Sequence, residues 1–546
     1  MAFHFEAGAG TDRATGTRDW VNKKLQFLCS QHVDSVAVNS GGTGYSVGDV
    51  LTLAHASAHL AARFEVVTES AGVITALRIV SSGAYAQQAT SATVSAGGGS
   101  YAVGDILEVQ GGSSRLPAKF TVATLSGSAV ATVALVEGGG AYSSTPSNPA
   151  ATVGVGPSAF AGDDACTLTV SYQSIIGTTG LSVTGGGGSG ATVDISLAET
   201  GHSVVQNRND WSYNGETDER QAVLVADATG LTNKPYFGLR TGTDDVGIDV
   251  RHWVAFSGFI AFNPSLTDFL SQPGVSPGWD TGDVPVDGGS YLVFPQNVAN
   301  EVDFWFCADD VHHTGRVNTN PAANTDDGRY EDYYQGYGNR VKTETEDPFP
   351  MLNHASSRDR DANPTSSSTS ITSIAELRAP SLGPCWAYLA DQATWVSVKN
   401  DDTSGGVGGE SNAMFPFGEL PPQEDGGDAE TVVAAETPMY NDDVFKRDRS
   451  AATRVLRMVP GSTPYHALWP LIFARKVTDQ FAPSTDSVRL TVRNNFAVFN
   501  SDSSGAAITN FSEDIIEDAN GDRYYVFHNW DLAGTRYQFT CLKEDV

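Results

Sequence analysis

A glycine-rich phrase, Gly41-Gly42-Thr43-Gly44-Tyr45-Ser46-Val47-Gly48-Asp49-Val50-Leu51, returns as Gly98-Gly99-Ser100-Tyr101-Ala102-Val103-Gly104-Asp105-Ile106-Leu107. Tyr45 and Tyr101 stand 56 positions apart, and so do Phe64 in Ala62-Arg63-Phe64 and Phe120 in Ala118-Lys119-Phe120. An offset kept that far beyond the glycines means one structural unit used twice. After one inserted residue the units also end alike, on Gly83-Ala84-Tyr85 and Gly140-Ala141-Tyr142.

The phrase reads as strand, tight turn, strand. Val36 and Val38 alternate with polar residues before the glycines, Val50, Leu51 and Leu53 follow them, and Phe64, Val66 and Val67 supply a third run. Gly44 and Gly48 suit the left-handed backbone of a turn. The Tyr between them has a ring to bury and a hydroxyl that can reach turn backbone. Asp49 and Asp105 are expected to accept turn amides. One carboxylate per turn is far from the six to eight oxygens that calcium takes.

With 57 glycines, 10% aromatic and 18% charged residues in 546, the composition is that of ordered, turn-rich β-structure. Sixty-four acids against 33 bases give a net charge of −31. No Lys/Arg stripe suited to phosphates occurs, which argues against a nucleic-acid binder. Cys29, Cys166, Cys307, Cys385 and Cys541 lack CxxC spacing and read as buried reduced thiols. The opening Met1-Ala2-Phe3-His4 lacks a basic and apolar leader, and no apolar run spans 18 residues. Synthesis in a cytoplasm with no membrane span is therefore expected.

Along the chain, residues 1–33 read as an arm with a short helix over Trp20–Leu28, capped by Asp19. Tandem β repeats are expected at 34–89 and 90–147, then glycine-rich strands and a connection at 148–204. An aromatic-rich β domain follows over 205–400, with a Ser/Thr loop at 366–373. An acidic exposed linker occupies 401–450 and a strand-rich part 451–546. Asn520-Gly521 marks a hairpin, and Leu468–Arg475 fits a buried strand or a short helix. The expected fold is mainly β and multidomain, with two tandem related small β-domains ahead of larger β-rich ones.

Trp211, Glu216, Val223–Ala226, Tyr236-Phe237-Gly238-Leu239-Arg240, Trp253, Gly258-Phe259 and Gln272–Gly278 occur in an order that resembles a family of tailed-bacteriophage virion structural proteins. In that family the C-terminal half carries a Tyr-Gln-x-x-Tyr segment, an aromatic-Pro run and a closing Phe-x-Asn segment. The counterparts here are Tyr334-Gln335-Gly336-Tyr337-Gly338, one residue short of that spacing, Pro348-Phe349-Pro350-Met351, and Tyr525-Val526-Phe527-His528-Asn529-Trp530. The glycine-tyrosine repeats are similar to those of phage tail and fibre proteins. The resemblance covers about 211–400 and 450–546, and implies a tail or baseplate building block with no chemistry attached.

The most site-like cluster is Asp309-Asp310-Val311-His312-His313, four potential metal ligands within five residues. Neighbours on a strand point to opposite faces, so at most half could face one ion, and a solvated polar loop is the simpler reading. Asp326–Asp332 and Asp518–Asp522 lack the alternating ligands and distal Glu of a calcium loop and read as turns. No Gly-x-Ser-x-Gly elbow, His-Glu-x-x-His helix or phosphate loop occurs. No catalytic, cofactor or metal residue is therefore assigned.

The function expected is a non-enzymatic virion component of a tailed phage, at the tail tip or baseplate. Its partners would be copies of itself, other virion proteins and a host surface glycan or receptor. Two rivals remain: a capsid decoration or host-binding module, and a tailspike depolymerase, whose β-helix would need many shorter coils. The net charge directs assembly to uncharged local surfaces beyond about residue 205, as a closed ring or trimer with the repeats outward.

Overall fold

The computed structural model describes residues 2–9, 13–140, 142–155, 165–208, 221–227, 234–246, 249–266, 271–276, 290–294, 302–318, 330–340, 351–355, 385–389, 394–398, 414–416, 467–475, 489–499, 515–517, 521–529 and 538–544. The chain is mainly β, with several sheets. Strand β1 (Ala2–Ala9) precedes helix α1 (Arg13–Leu28). Asp19 lies inside this helix, so it is not the cap. Gly16 costs a helix about 1 kcal/mol relative to alanine, and the flanking threonines are weak formers. Burial of Trp20, Val21, Leu25, Phe27 and Leu28 anchors the helix from its other half, where packing outweighs propensity.

The repeats begin with β2 (Gln31–Thr43), β3 (Val50–Leu53), β4 (Ala58–Leu60), β5 (Ala62–Ser70), β6 (Val73–Ser81) and β7 (Ala84–Tyr85). Then come β8 (Ala89–Gly97), β9 (Ile106–Val109), β10 (Lys119–Ser126), β11 (Ala129–Glu137), β12 (Ala150–Gly154) and β13 (Cys166–Tyr172). The orders β6-β5-β3 and β11-β10-β9 match. Phe64 opposes Leu51 and Ile79, and Phe120 opposes Leu107 and Leu135. Even the irregularities recur. The β5–β6 ladder slips at Arg63/Phe64, Val66/Thr68 and Thr68/Glu69, and the β10–β11 ladder at Lys119/Phe120, Val122/Thr124 and Thr124/Leu125.

The units are nested, not tandem. In the second, β12 pairs with β9 and β13 with β8, so it runs from 89 to 172. The corresponding partners in the first are β15 (Thr184–Gly185) on β3 and β16 (Ser189–Glu199) on β2, with β14 (Leu181–Ser182) beside β16. Unit 1 is thus opened at 31–85, interrupted by unit 2, and completed near 181–199. This corrects the boundaries 34–89 and 90–147; the glycine-rich strands expected within 148–204 are present, but they complete the two units rather than connect them onward. Composition suggests strands in this stretch, but a long-range ladder such as β2–β16 leaves no local mark. Each insertion leaves its host where it enters: the Gln173 amide donates to the Gln88 carbonyl at 3.0 Å, and Gln31 opposes Glu199.

Alternation builds the two unit cores. Ala62, Phe64 and Val66 face inward with Ala191, Val193 and Ile195 in unit 1; Ala118, Phe120 and Val122 do so with Cys166, Leu168 and Val170 in unit 2. Gly41 and Gly97 let β2 approach β6 and β8 approach β11, since a Cβ there would overlap the carbonyl of Ile74 or Val130. Gly83 and Gly139, at φ 64° and 72°, press against Ala62 and Ala118. Gly139 is thus the counterpart of Gly83, and the inserted residue is Gly140.

The Tyr85 hydroxyl accepts from the Ala62 amide at 2.8 Å and donates to the Leu53 carbonyl at 2.8 Å; the Tyr142 hydroxyl accepts from the Ala118 amide at 2.7 Å. The rings of Tyr45 and Tyr101 are buried as expected. The Tyr101 hydroxyl meets the Cys166 amide at 3.1 Å, across the core rather than in its own turn. Asp49 accepts from the Ser46 amide at 3.0 Å and Asp105 from the Ala102 amide at 2.8 Å, the expected turn bonds.

The body follows. Strands β17 (His202–Arg208), β18 (Gln221–Ala226), β19 (Tyr236–Val246), β20 (Asp249–Phe259) and β21 (Ser290–Phe294) form one antiparallel sheet in chain order. Next come β22 (Val302–Ala308), β23 (His312–Asn318), β24 (Tyr330–Tyr337), β25 (Asn339–Arg340), β26 (Met351–Ala355), β27 (Cys385–Leu389) and β28 (Thr394–Val398). Except for β25, these form a second sheet with β1 at its edge, paired to β22 from Ala2↔Ala308 to Ala9↔Val302. Residues 1–33 are therefore no arm: their strand and helix belong to the body. Trp20, Leu25 and Leu28 share one core with Val254 and Phe256 of the first sheet and Phe304 and Phe306 of the second. Leu60 and Leu116, counterparts in the two units, enter that same core.

A third sheet has the order β29 (Met414–Pro416), β30 (Ala467–Arg475), β31 (Arg489–Phe499), β34, β33, β32, with β25 also on β31. Its last three strands in the chain are β32 (Ile515–Glu517), β33 (Arg523–Asn529) and β34 (Gln538–Glu544). Leu468–Arg475 is thus a strand. Strands β32 and β33 pair antiparallel, with Glu517 opposite Arg523 on either side of the expected hairpin; Asn520 itself lies outside the described residues. Met414–Pro416 forms an edge strand inside the stretch expected to be linker; the rest of 401–450, and 366–373, lie outside the described residues. Phe3 stacks on Tyr525 at 5.2 Å and Trp305 meets Phe527 edge-on at 4.9 Å, which docks this sheet on β1 and β22.

Candidate functional site

Trp20 and Lys24 sit four residues apart, on one face of α1. The face is aromatic: the Lys24 Nζ lies 3.7 Å from the ring centroid of Tyr333, 4.4 Å from Phe256 and 5.3 Å from Trp20. Tyr333 and Phe256 stack at 5.1 Å, and Trp20 stands edge-on to both. Lys24 is fully buried and its Nζ makes no hydrogen bond. Burial pushes its pKa well below the usual lysine value.

His202 on β17 and His313 on β23 adjoin this amine, with ring centroids 5.4 Å apart and near-perpendicular planes. His313 also meets Phe237 edge-on at 5.2 Å, and neither of its nitrogens is hydrogen-bonded. Burial drives the His202 pKa down to about 3, against the pull of Asp309. Burial, then the fields of Lys24, His202 and His312, hold His313 well below the ordinary imidazole value. The cluster is three bases, each held below its ordinary pKa chiefly by burial and enclosed by aromatic rings.

This is where half of the Asp309–His313 motif goes. His312 and His313 are fully buried on β23, so the solvated-loop reading is corrected: aromatic rings surround both imidazoles. Strand alternation separates the pair as expected. His312 stacks on Tyr334 at 5.3 Å and bonds Asp309 Oδ1 at 2.6 Å, while that same oxygen accepts the amides of Val311 and His312 at 2.9 and 3.0 Å. The aspartate is committed to shaping the turn into β23. Among the described residues no three His, Cys, Asp or Glu side chains converge as a metal-holding group.

The Tyr334–Gly338 segment places Gln335 between the body's two sheets. Its Nε2 donates to the carbonyls of Gly238 and Ser257 at 3.2 and 3.0 Å and to Asn353 Oδ1 at 3.0 Å. Asn353 donates to the Phe256 carbonyl at 2.8 Å. These amides join the layers. Cys29, Cys166 and Cys307 are buried free thiols, as their spacing suggested. Of the two calcium-like stretches, 326–329 and 518–520 lie outside the described residues.

Lys24, His202, Gln335 and Asn353 escaped the sequence reading. For Lys24 a signal existed, the four-residue spacing from Trp20 along an otherwise apolar stripe. A second cluster lies where unit 1 meets the third sheet: Glu65 pairs with Arg78 at 2.9 Å and with Arg523 at 3.5 Å, Arg78 reaches Glu517 at 3.2 Å, and Arg523 reaches Glu544 at 3.2 Å. Burial outweighs its cations at Glu544 and raises that carboxyl to about 8. Both clusters fasten elements together. The chain matches no protein-family model and no curated protein.

Proposed function

We propose that the chain is a structural component of a tailed-phage virion, a tail-tip or baseplate building block that carries the nested β units on its body. The observation that supports this reading is how the titratable groups are spent. Those gathered by folding around α1 are sealed in aromatic packing, and the pair of related units is anchored by Leu60 and Leu116 to that same core. A rigid body bearing a duplicated β unit suits display and assembly. On this proposal copies associate through the body, as a ring or trimer, and the units meet other virion proteins or a host glycan.

Gold-labelled antibody against residues 89–172 should decorate intact particles at the tail tip. Label over the capsid would support the decoration reading instead. Particles that lack the chain altogether would overturn both. Release of oligosaccharide from host capsule by the purified chain would favour the depolymerase.

A further inference from the structure

Unit 2 meets the body through three buried groups on three strands: Lys119 at the start of β10, Glu137 at the end of β11, and Asn207 on β17. Their exposures are 0, 7 and 4%. Lys119 and Glu137 face each other in the β10–β11 ladder, with Glu108 of β9 opposite Lys119 on the other side. The Lys119 Nζ donates to the main-chain carbonyl of Asn207, and Asn207 Nδ2 donates to Glu137 Oε2 at 3.0 Å. An amine, a carboxamide and a carboxyl group are thus confined together away from water.

The geometry points to an amide cross-link between the Lys119 side chain and the Asn207 side chain, made by the chain itself. In a dry site the ammonium–carboxylate pair is costly, and shifting one proton from Lys119 to Glu137 yields a neutral amine beside a carboxylic acid. That is the nucleophile and general acid that aminolysis of a carboxamide needs. Nζ attacks Asn207 Cγ, and the Nζ–Cγ bond forms as the Cγ–Nδ2 bond breaks. Glu137, already against Nδ2, gives its proton to the leaving nitrogen and takes one from Nζ, so that ammonia departs and the carboxyl group is restored. The step needs no oxidant or cofactor. Amides are poor electrophiles, and fixed proximity, with effective molarities on the order of 10⁵ M or more, is what offsets that. The counterparts of Lys119 and Glu137 in unit 1 are Arg63 and Ser81, opposite each other in the same register and unable to do this chemistry.

Trypsin reads the result directly, because no Lys or Arg lies between Lys119 and Arg208. The full-length chain should weigh one ammonia less than its sequence. Its digest should give residues 116–208 as one peptide, lighter by that ammonia, in place of 116–119 and 120–208. Glu137→Gln and Lys119→Arg should restore the full mass, and Glu137→Gln should restore cleavage after Lys119. A succinimide at Asn207 would also lose ammonia but would leave Lys119 cleavable, which would count against the link. Quantitative recovery of peptide 116–119 from the unaltered chain at full mass overturns the proposal, whether or not the variants fold.

Discussion

At the base of its long hairpin, unit 1 places Arg63 opposite Ser81, and unit 2 places Lys119 opposite Glu137. Around those positions the two ladders agree, bulge for bulge. Ser81 Oγ bonds His4 Nδ1 at 2.6 Å, tying unit 1 to β1, while Glu137 and Lys119 tie unit 2 to β17. Unit 1 also reaches the third sheet through Glu65 and Arg78. Unit 2 instead uses Arg115, held by Glu199 at 2.5 Å and Asp227 at 3.2 Å. Inward residues and turn glycines preserve a fold through duplication, whereas rim residues are free to take whatever neighbour insertion gives them.

The largest test of this comparison is where the chain tolerates excision. Removing 89–172 and joining Gln88 to Gln173 should leave unit 1 and the body folded, because those two residues are already hydrogen-bonded neighbours. Removing 34–147 should leave insoluble protein, since it takes away β8 and β9, on which β13 and β12 pair, and β3 and most of β2, on which β15 and β16 pair. Size-exclusion chromatography and circular dichroism of the two products decide the matter; equal behaviour would return the units to a tandem reading.

Acid should separate the units next. Unit 2 contains no histidine, whereas burial holds His32 and His59, at the base of unit 1, down to about 4. Unfolding lets each bind a proton below about pH 6.5, so their stabilisation is complete above that pH and is lost as pH falls toward 4. The loss is about 1.4 kcal/mol per pH unit for each, or about 2 kcal/mol apiece at pH 5. Glu544 acts oppositely: its raised folded pKa takes stability away as pH rises from about 4.5 to 8. Amide exchange at pH 5 and pH 7 should show β2–β6 losing protection while β8–β13 keep theirs. Equal loss in both would mean that the histidines are not the cause.

The smallest expected effect tests sameness. Tyr85→Phe and Tyr142→Phe each leave a buried amide, of Ala62 or Ala118, without its hydroxyl acceptor, at about 1–3 kcal/mol. Urea midpoints should shift alike in the two variants. A clear inequality would mean that the hydroxyls do different work despite their matching positions.

Much of this was legible in the residues. The offset from Tyr45 to Tyr101 and from Phe64 to Phe120 is kept to the last bulge, and Asp49 and Asp105 make the turn bonds their type suggests. What escaped is long-range pairing. Thr184-Gly185 looks like flexible glycine tract until Leu51 and Thr52 are seen to need an edge partner. Phe3 and Phe5 look like part of a loose arm because their neighbours, Trp305 and Tyr525, lie hundreds of positions away. The Asp309–His313 run misled in another way: imidazole is polar by formula, yet His313 against Phe237 and Tyr333, and His312 against Tyr334, are buried and pack as rings.

Nesting also sets a timetable. A ladder cannot close before its second strand exists, so synthesis at about 5–20 residues per second lets the innermost sheet finish first, several seconds after β8 emerges. Unit 1 must hold β2 open until β16 arrives, and β1 waits longest, because Ala2 pairs with Ala308. At that pace the delay is roughly 15–60 s, during which a strand bearing Phe3 and Phe5 lacks its ladder partner β22. Such a chain matures from the inside outward, and its earliest-made strand is among the last to be secured.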